Sequence, residues 1–129
     1  PSQAEVLRLL QQRGPLGLNG LGQLLVCESG SSPSRLVDRL VSAGLVERQV
    51  PEHDRRHIEL SLTQEGQRVA GEIAEIERGL HEMIDTVAEG HTLNEVIRFL
   101  WALVGDLPAG HSLARRRDIL PSGNTASPE

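Results

Sequence analysis

Residues 33–62 have the sequence PSRLVDRLVSAGLVERQVPEHDRRHIELSL, and this stretch decides the fold. Residues 33–43 begin with a proline and stop before a glycine, and both features are typical of helix ends. Residues 45–50 and 57–62 contain strand-forming residues, with strict alternation of apolar and polar side chains in the second segment, and a charged loop separates them. The stretch therefore predicts a helix followed directly by a β-hairpin.

The predicted helix has one apolar face and one polar face. The apolar face holds Leu36, Val37, Leu40 and Val41. The polar face holds Arg35, Asp38, Arg39 and Ser42, and the serines around the helix start include Ser31, Ser32 and Ser34. Arginines on such a face can bind guanine edges and phosphates in the major groove of duplex DNA, and a helix start favours a phosphate. The alternative is an ordinary solvated helix face.

The predicted hairpin carries basic side chains at and beside its tip. Arg55 and Arg56 are adjacent, His53 and His57 flank them, and Arg48 lies on the first strand. Guanidinium groups in this position can reach the neighbouring phosphate backbone or a narrow minor groove, where the potential is strongly negative. The alternative is a surface turn without a partner.

Two helices are predicted before residues 33–62. A helix is predicted over residues 3–13, and Gly14-Pro15 ends it. A glycine-rich link over residues 16–20 follows, and then a short helix that contains Leu21, Leu24 and Leu25. This order of helices and hairpin predicts a winged helix-turn-helix DNA-binding region over residues 1–66.

Two further helices are predicted after the hairpin, in residues 67–105. Thr63 caps a long helix whose apolar positions alternate in steps of four and three, the spacing of a coiled-coil seam. The seam consists of Val69, Ile73, Ile76, Leu80, Met83 and Val87, and the final amphipathic helix adds Leu100 and Trp101. We expect these residues to form a dimer interface; packing within one subunit is the alternative. Residues 106–129 predict a loosely held tail, in which three adjacent arginines, 115–117, are either solvated or a DNA-contacting arm.

Composition excludes several classes of protein. The chain of 129 residues fits one globular domain, and no apolar run approaches the roughly 18 residues that span a bilayer. Its net charge is −5, but the acidic surplus lies entirely after residue 68, so the charge does not exclude a nucleic acid. Phe99 and Trp101 are the only aromatic residues, which disfavours base stacking on single strands. The single cysteine, Cys27, excludes an internal disulfide and suits the cytoplasm.

Three short motifs resemble one family of bacterial regulators. They are Leu45-Val46-Glu47-Arg48, His53-Asp54-Arg55-Arg56 and the run LSLTQEG over residues 60–66. Together they are similar to the wing signature of the MarR family, the multiple-antibiotic-resistance regulators, and the resemblance covers roughly residues 1–105. The chain departs from the family in having Pro51-Glu52 where an Asp-Pro pair is usual, and in having no counterpart of the family's first helix before Pro1. Either that helix was trimmed or the chain pairs differently.

The resemblance implies roles for particular residues. Arg56 would enter the minor groove, Asp54 would brace the wing, and the helix 33–43 would contact the major groove. The family acts as homodimers on pseudo-palindromic sites and is often released by phenolic or other small ligands, or by thiol oxidation in one branch.

The sequence as a whole predicts a mainly α fold with a small β-hairpin, a winged helix-turn-helix followed by C-terminal dimerisation helices. We expect a cytoplasmic homodimer that binds double-stranded DNA and represses transcription, with no cofactor, no membrane contact and scope for a small-molecule effector. No nucleophile elbow, phosphate loop or dinucleotide fingerprint occurs, so an enzyme is not expected. The alternatives are a winged helix that binds another protein, and a metal-sensing regulator similar to the arsenic repressors that uses His81, Asp85 and His91.

Overall fold

The computed structural model describes residues 2–26 and 32–119. Its elements are α1 (Ser2–Arg13), β1 (Leu16–Gly17), α2 (Leu18–Leu24), α3 (Pro33–Ser42), β2 (Val46–Gln49), β3 (Glu59–Leu62), α4 (Gln64–Ala88), α5 (Leu93–Val104) and α6 (Pro108–Ile119). Helices dominate, and the strands form one small antiparallel sheet. The predicted fold class, a mainly α winged helix, is confirmed.

The sheet has three strands in the order β1-β3-β2. β2 and β3 form the predicted hairpin, with Val46 opposite Leu62. β1 adds a third strand by pairing Leu16 with Leu60, in a segment where the sequence predicts only a link. A strand of two residues is too short to show alternation, and its partner lies far along the chain, so no local pattern marks it.

One apolar core lies between α1, α2, α3 and the sheet. The largest fully buried side chains are Leu7, Leu21, Leu40, Val6, Val37 and Val46. Burial of each such side chain contributes about 1.5–3 kcal/mol relative to exposure. Because Leu36, Val37 and Leu40 on α3 belong to this core, the opposite face of α3 is held outward.

A tight corner joins the start of β2 to the start of α4. Thr63 caps α4 as predicted, since its Oγ1 accepts a hydrogen bond from Gly66 N at 3.0 Å. Thr63 also donates its hydroxyl to Gly44 O at 2.6 Å and its backbone N–H to Leu45 O at 3.1 Å. A Cβ placed on Gly66 would overlap the carbonyl oxygen of Leu45 and lie 2.9 Å from its carbonyl carbon. The glycine therefore permits the close approach of α4 to this corner.

The C-terminal segment differs from the loosely held tail that the sequence predicts. Residues Pro108–Ile119 form α6, which packs against α2 and α5. Gly110 allows a close approach here too, since a Cβ on it would lie 2.8 Å from the carbonyl carbon of Val104. The segment has almost no helical periodicity, so contacts with distant residues stabilise the helix rather than an amphipathic pattern. Residues 120–129 lie outside the described part of the chain.

Candidate nucleic-acid interface

The outward face of α3 is the first part of the candidate interface. Arg35, Asp38 and Arg39 are all exposed on it. Within the described ranges, no acidic side chain forms an ion pair with Arg35 or Arg39. Two guanidinium groups on this helix are thus available to bind an anionic partner.

The start of α3 has the predicted proline but lacks a side-chain cap. Pro33 occupies the first turn, and Ser32 stands at the cap position without a capping hydrogen bond from its side chain. The Ser32 carbonyl instead accepts from Arg35 N at 3.0 Å. The exposed Ser32 and the half-buried Ser34 therefore keep their places beside the helix start, while Ser31 lies outside the described residues, as does Cys27.

An ion pair connects α3 to the wing. Arg48 Nη2 on β2 donates to Asp38 Oδ1 on α3, and both side chains are substantially exposed. The sequence predicts DNA contacts for both residues; in the structure, each is the other's partner. The signal available in the sequence was an acidic residue on an otherwise basic helix face, with an arginine on the next strand. The pair joins β2 to α3 beside Arg35 and Arg39.

The wing tip is organised around Asp54. Its Oδ1 accepts a hydrogen bond from Arg56 N at 3.1 Å, and its Oδ2 lies 2.6 Å from His57 Nδ1. The backbone N–H of Arg56 first, and His57 second, lower the pKa of the Asp54 carboxyl, so the group is ionised at neutral pH. Asp54 thus joins the backbone of Arg56 to the ring of His57 within the wing, and the bracing role that the family resemblance implies for it stays a prediction.

The basic side chains of the wing have different surroundings. His53, Arg55, Arg56 and His57 are all exposed, but of these only His57 is bound to Asp54 through its side chain. In the part of the chain that the structure describes, no carboxylate pairs with Arg55 or Arg56. The loop between β2 and β3 thus carries two adjacent guanidinium groups that have no carboxylate partner among the described residues, next to the turn that Asp54 stabilises.

The predicted dimer-interface residues fall into two groups. Val69 and Ile73 pack partly against the core of their own protomer. The other four seam residues are exposed, from 50% for Leu80 to 73% for Ile76, and α5 has no buried residue at all. Leu100 is exposed, while Trp101 is half-buried with the Arg117 guanidinium 5.3 Å from its ring centre. The second half of α4 and α5 therefore present an apolar surface that the described protomer does not cover.

A metal site and a membrane-spanning helix are two further features that the described residues do not form. Among residues 2–26 and 32–119, no three His, Cys, Asp or Glu side chains converge to hold a metal ion, so these residues give the metal-sensing alternative no support. His81, Asp85 and His91 are all exposed. None of the described helices combines the length and the apolar character needed to cross a bilayer.

Comparison with known proteins gives consistent matches. A sequence profile of the MarR family matches residues 1–58. The HTH-type transcriptional regulator FarR of Neisseria gonorrhoeae is 37% identical over 73 residues, covering 57% of this chain and 49% of FarR, so this chain spans about half the length of that relative. The crystal structure of RV1404 from Mycobacterium tuberculosis is 31% identical with a TM-score of 0.60, covering 81% of this chain and 72% of that one. The adhesin competence repressor AdcR of Streptococcus pyogenes is 18% identical with a TM-score of 0.71, covering 83% and 79%, and shows the fold alone.

Proposed function

Because the chain belongs to the MarR family, we propose that it is a transcriptional regulator that binds specific sequences of double-stranded DNA as a homodimer. One observation carries the proposal. Four exposed arginines without carboxylate partners among the described residues lie on two adjacent elements, α3 and the wing, which the Asp38–Arg48 pair connects. The four are Arg35, Arg39, Arg55 and Arg56.

The two elements would contact different parts of the duplex. The polar face of α3 fits the major groove, where Arg35 and Arg39 can bind guanine edges or phosphates. Ser32 and Ser34 lie at the end of α3 where a phosphate would be bound. Arg55 and Arg56 would reach the adjacent backbone or minor groove. The turn in which Asp54 accepts a hydrogen bond from Arg56 N gives the wing its shape at these two arginines.

We propose that a second copy of the chain binds the apolar surface on α4 and α5. Large contiguous apolar surfaces are uncommon on monomers and mark interaction sites. The exposed seam on α4 consists of Ile76, Leu80, Met83 and Val87, and α5 adds Leu93, Val96, Ile97, Phe99, Leu100 and Leu103. A two-fold dimer would present two α3 helices to half-sites about one turn of DNA apart, which is why the proposed operator is pseudo-palindromic.

Repression would follow from occupancy of a promoter by this dimer, in the bacterial cytoplasm where the chromosome lies. A small-molecule effector would act by favouring a spacing of the two α3 helices that does not match the operator. Neither step requires a cofactor.

The salt dependence of binding tests the proposal. Duplexes selected from a random pool should bind with log Kd rising linearly with log salt, at a slope of about 0.9 per neutralised phosphate. Sedimentation equilibrium of the free protein should give twice the protomer mass. A flat salt response, with no selection of duplex sequences, would favour the alternative in which the winged helix binds another protein.

A further inference from the structure

The end of α2 receives hydrogen bonds from α6, a helix more than 80 positions further along the chain. The last carbonyl groups of any α-helix have no partner within the helix. Here Arg116 Nε donates to Leu24 O at 2.8 Å, and Arg115 Nη1 donates to Gln23 O at 3.2 Å. Positive charges are favourable at a helix C-terminus, because the peptide dipoles place partial negative charge there. α6 therefore supplies a C-terminal cap for α2.

Arg116 is also tied to α1. Its Nη2 pairs with the carboxylate of Glu5, a side chain that is only 9% exposed. The same carboxylate accepts a hydrogen bond from Val26 N at 2.8 Å. On the other side, Arg13 Nη2 donates to the backbone carbonyl of Arg116 at 3.1 Å. One guanidinium group thus joins the end of α2 to α1 through partly buried contacts.

These contacts lie where the chain leaves α2 for the DNA-contacting helix. Val26 lies just after α2, at the end of one described range, and α3 begins at Pro33, near the start of the next. α2 also packs on α3, and Gly22 lies beside the Pro33 ring, since a Cβ on Gly22 would be 3.4 Å from Pro33 Cγ. A shift of the α2 terminus would therefore move the start of α3.

We propose that Arg116 is a positioning residue for DNA binding, which caps α2 from the C-terminal helix and so fixes the start of α3 without contacting DNA. Glu5 is its counterpart on α1. The inference rests on the proposed function, because its last step concerns the affinity for DNA. It gives residues 108–119 a role in the helix-turn-helix itself.

The test compares Arg116→Ala with Arg117→Ala in the full chain. Arg117 lies on the same helix, loses the same charge on substitution, and contacts Trp101 instead of α2. For Arg116→Ala, we expect faster amide exchange at Val26 and a Kd for selected duplexes raised about tenfold, with an unchanged salt slope. For Arg117→Ala, exchange at Val26 and Kd should stay at the wild-type values.

A second variant tests the pair if Arg116→Ala folds poorly. Glu5→Gln keeps an acceptor for Val26 N and removes the charge that pairs with Arg116. It should weaken duplex binding less than Arg116→Ala does. The double variant should bind no more weakly than Arg116→Ala alone, because the two residues act through one contact.

Each outcome separates this proposal from the proposed function. If the wild-type chain binds no duplex, the proposed function fails, and exchange at Val26 alone decides whether α6 caps α2. If wild type binds and Arg116→Ala leaves Kd unchanged, the positioning role is refuted, whatever happens to thermal stability. A salt slope reduced by about one phosphate in Arg116→Ala would refute it as well, since that result means direct contact with DNA.

Discussion

Gly66→Ala should destabilise the protein, although alanine is the better helix former. Gly66 lies in the first turn of α4, where the added Cβ would overlap the carbonyl oxygen of Leu45. That carbonyl cannot withdraw freely, because it accepts the hydrogen bond from Thr63 N at 3.1 Å. The corner that positions the wing strands against α4 must therefore open.

The magnitude follows from three contributions. Forced overpacking costs about 1–3 kcal/mol, and loss of the Thr63 hydrogen bond adds about 0.5–1.5 kcal/mol. The gain in helix propensity offsets at most about 1 kcal/mol. The net loss of about 0.5–3.5 kcal/mol is a substantial part of an ordinary folding free energy, and we expect the melting temperature to fall by about 2–14 °C.

Gly71→Ala is the matched control, because it makes the same substitution in the same helix. Apart from its chain neighbours and the backbone of its own helix, no heavy atom of the described residues lies within 4 Å of a Cβ placed on Gly71, so the propensity gain is unopposed. This variant should be more stable than wild type by up to about 1 kcal/mol. Urea unfolding at a fixed protomer concentration measures both variants. The reasoning is refuted if Gly66→Ala is as stable as Gly71→Ala.

Two further predictions concern the interface. Arg35→Ala should change which duplex sequences are preferred, whereas Arg56→Ala should weaken binding to all of them. A selection from a random pool distinguishes these two effects. Equal losses of affinity across all sequences for Arg35→Ala would contradict its contact with base edges. The lowered pKa of Asp54 means that its ionised carboxylate stabilises the wing turn above the ordinary aspartate pKa, and that this stabilisation is lost as the pH falls through the lower pKa of the folded protein. The NMR resonance of the Arg56 backbone amide, followed as a function of pH, should therefore titrate with a midpoint below that of an unperturbed aspartate. Asp54→Asn should abolish this titration. A midpoint above the ordinary aspartate pKa would contradict the bracing role.

The elements of the proposed DNA interface could be predicted from sequence because their signals are local. Pro33 and Gly44 mark the ends of α3, and the spacing of apolar residues between them marks its buried face. Alternation marks β3, and Thr63 marks the start of α4. Each of these signals is confined to a single helix or strand, where residues a few positions apart in sequence are neighbours in space.

Contacts between distant residues could not be predicted in this way. Asp38 and Arg48 were each expected to contact DNA, and their pairing depends on how the wing packs beside α3. Likewise, the three adjacent arginines of residues 115–117 looked like part of a tail. The structure places Arg116 against a carbonyl 92 positions earlier in the chain. No periodicity within α6 indicates that contact.

The sequence by itself determined which residues are apolar, which helix faces they share, and where the arginines that face outward lie. Only the tertiary structure decided which of those faces the protomer itself buries. The seam on α4 is one continuous pattern in the sequence, yet Val69 and Ile73 pack on the core of their own protomer, whereas Ile76 and Val87 remain exposed. The physical reason is that a repeat of apolar residues records the need for burial, whereas the surface that meets this need is set by chain topology.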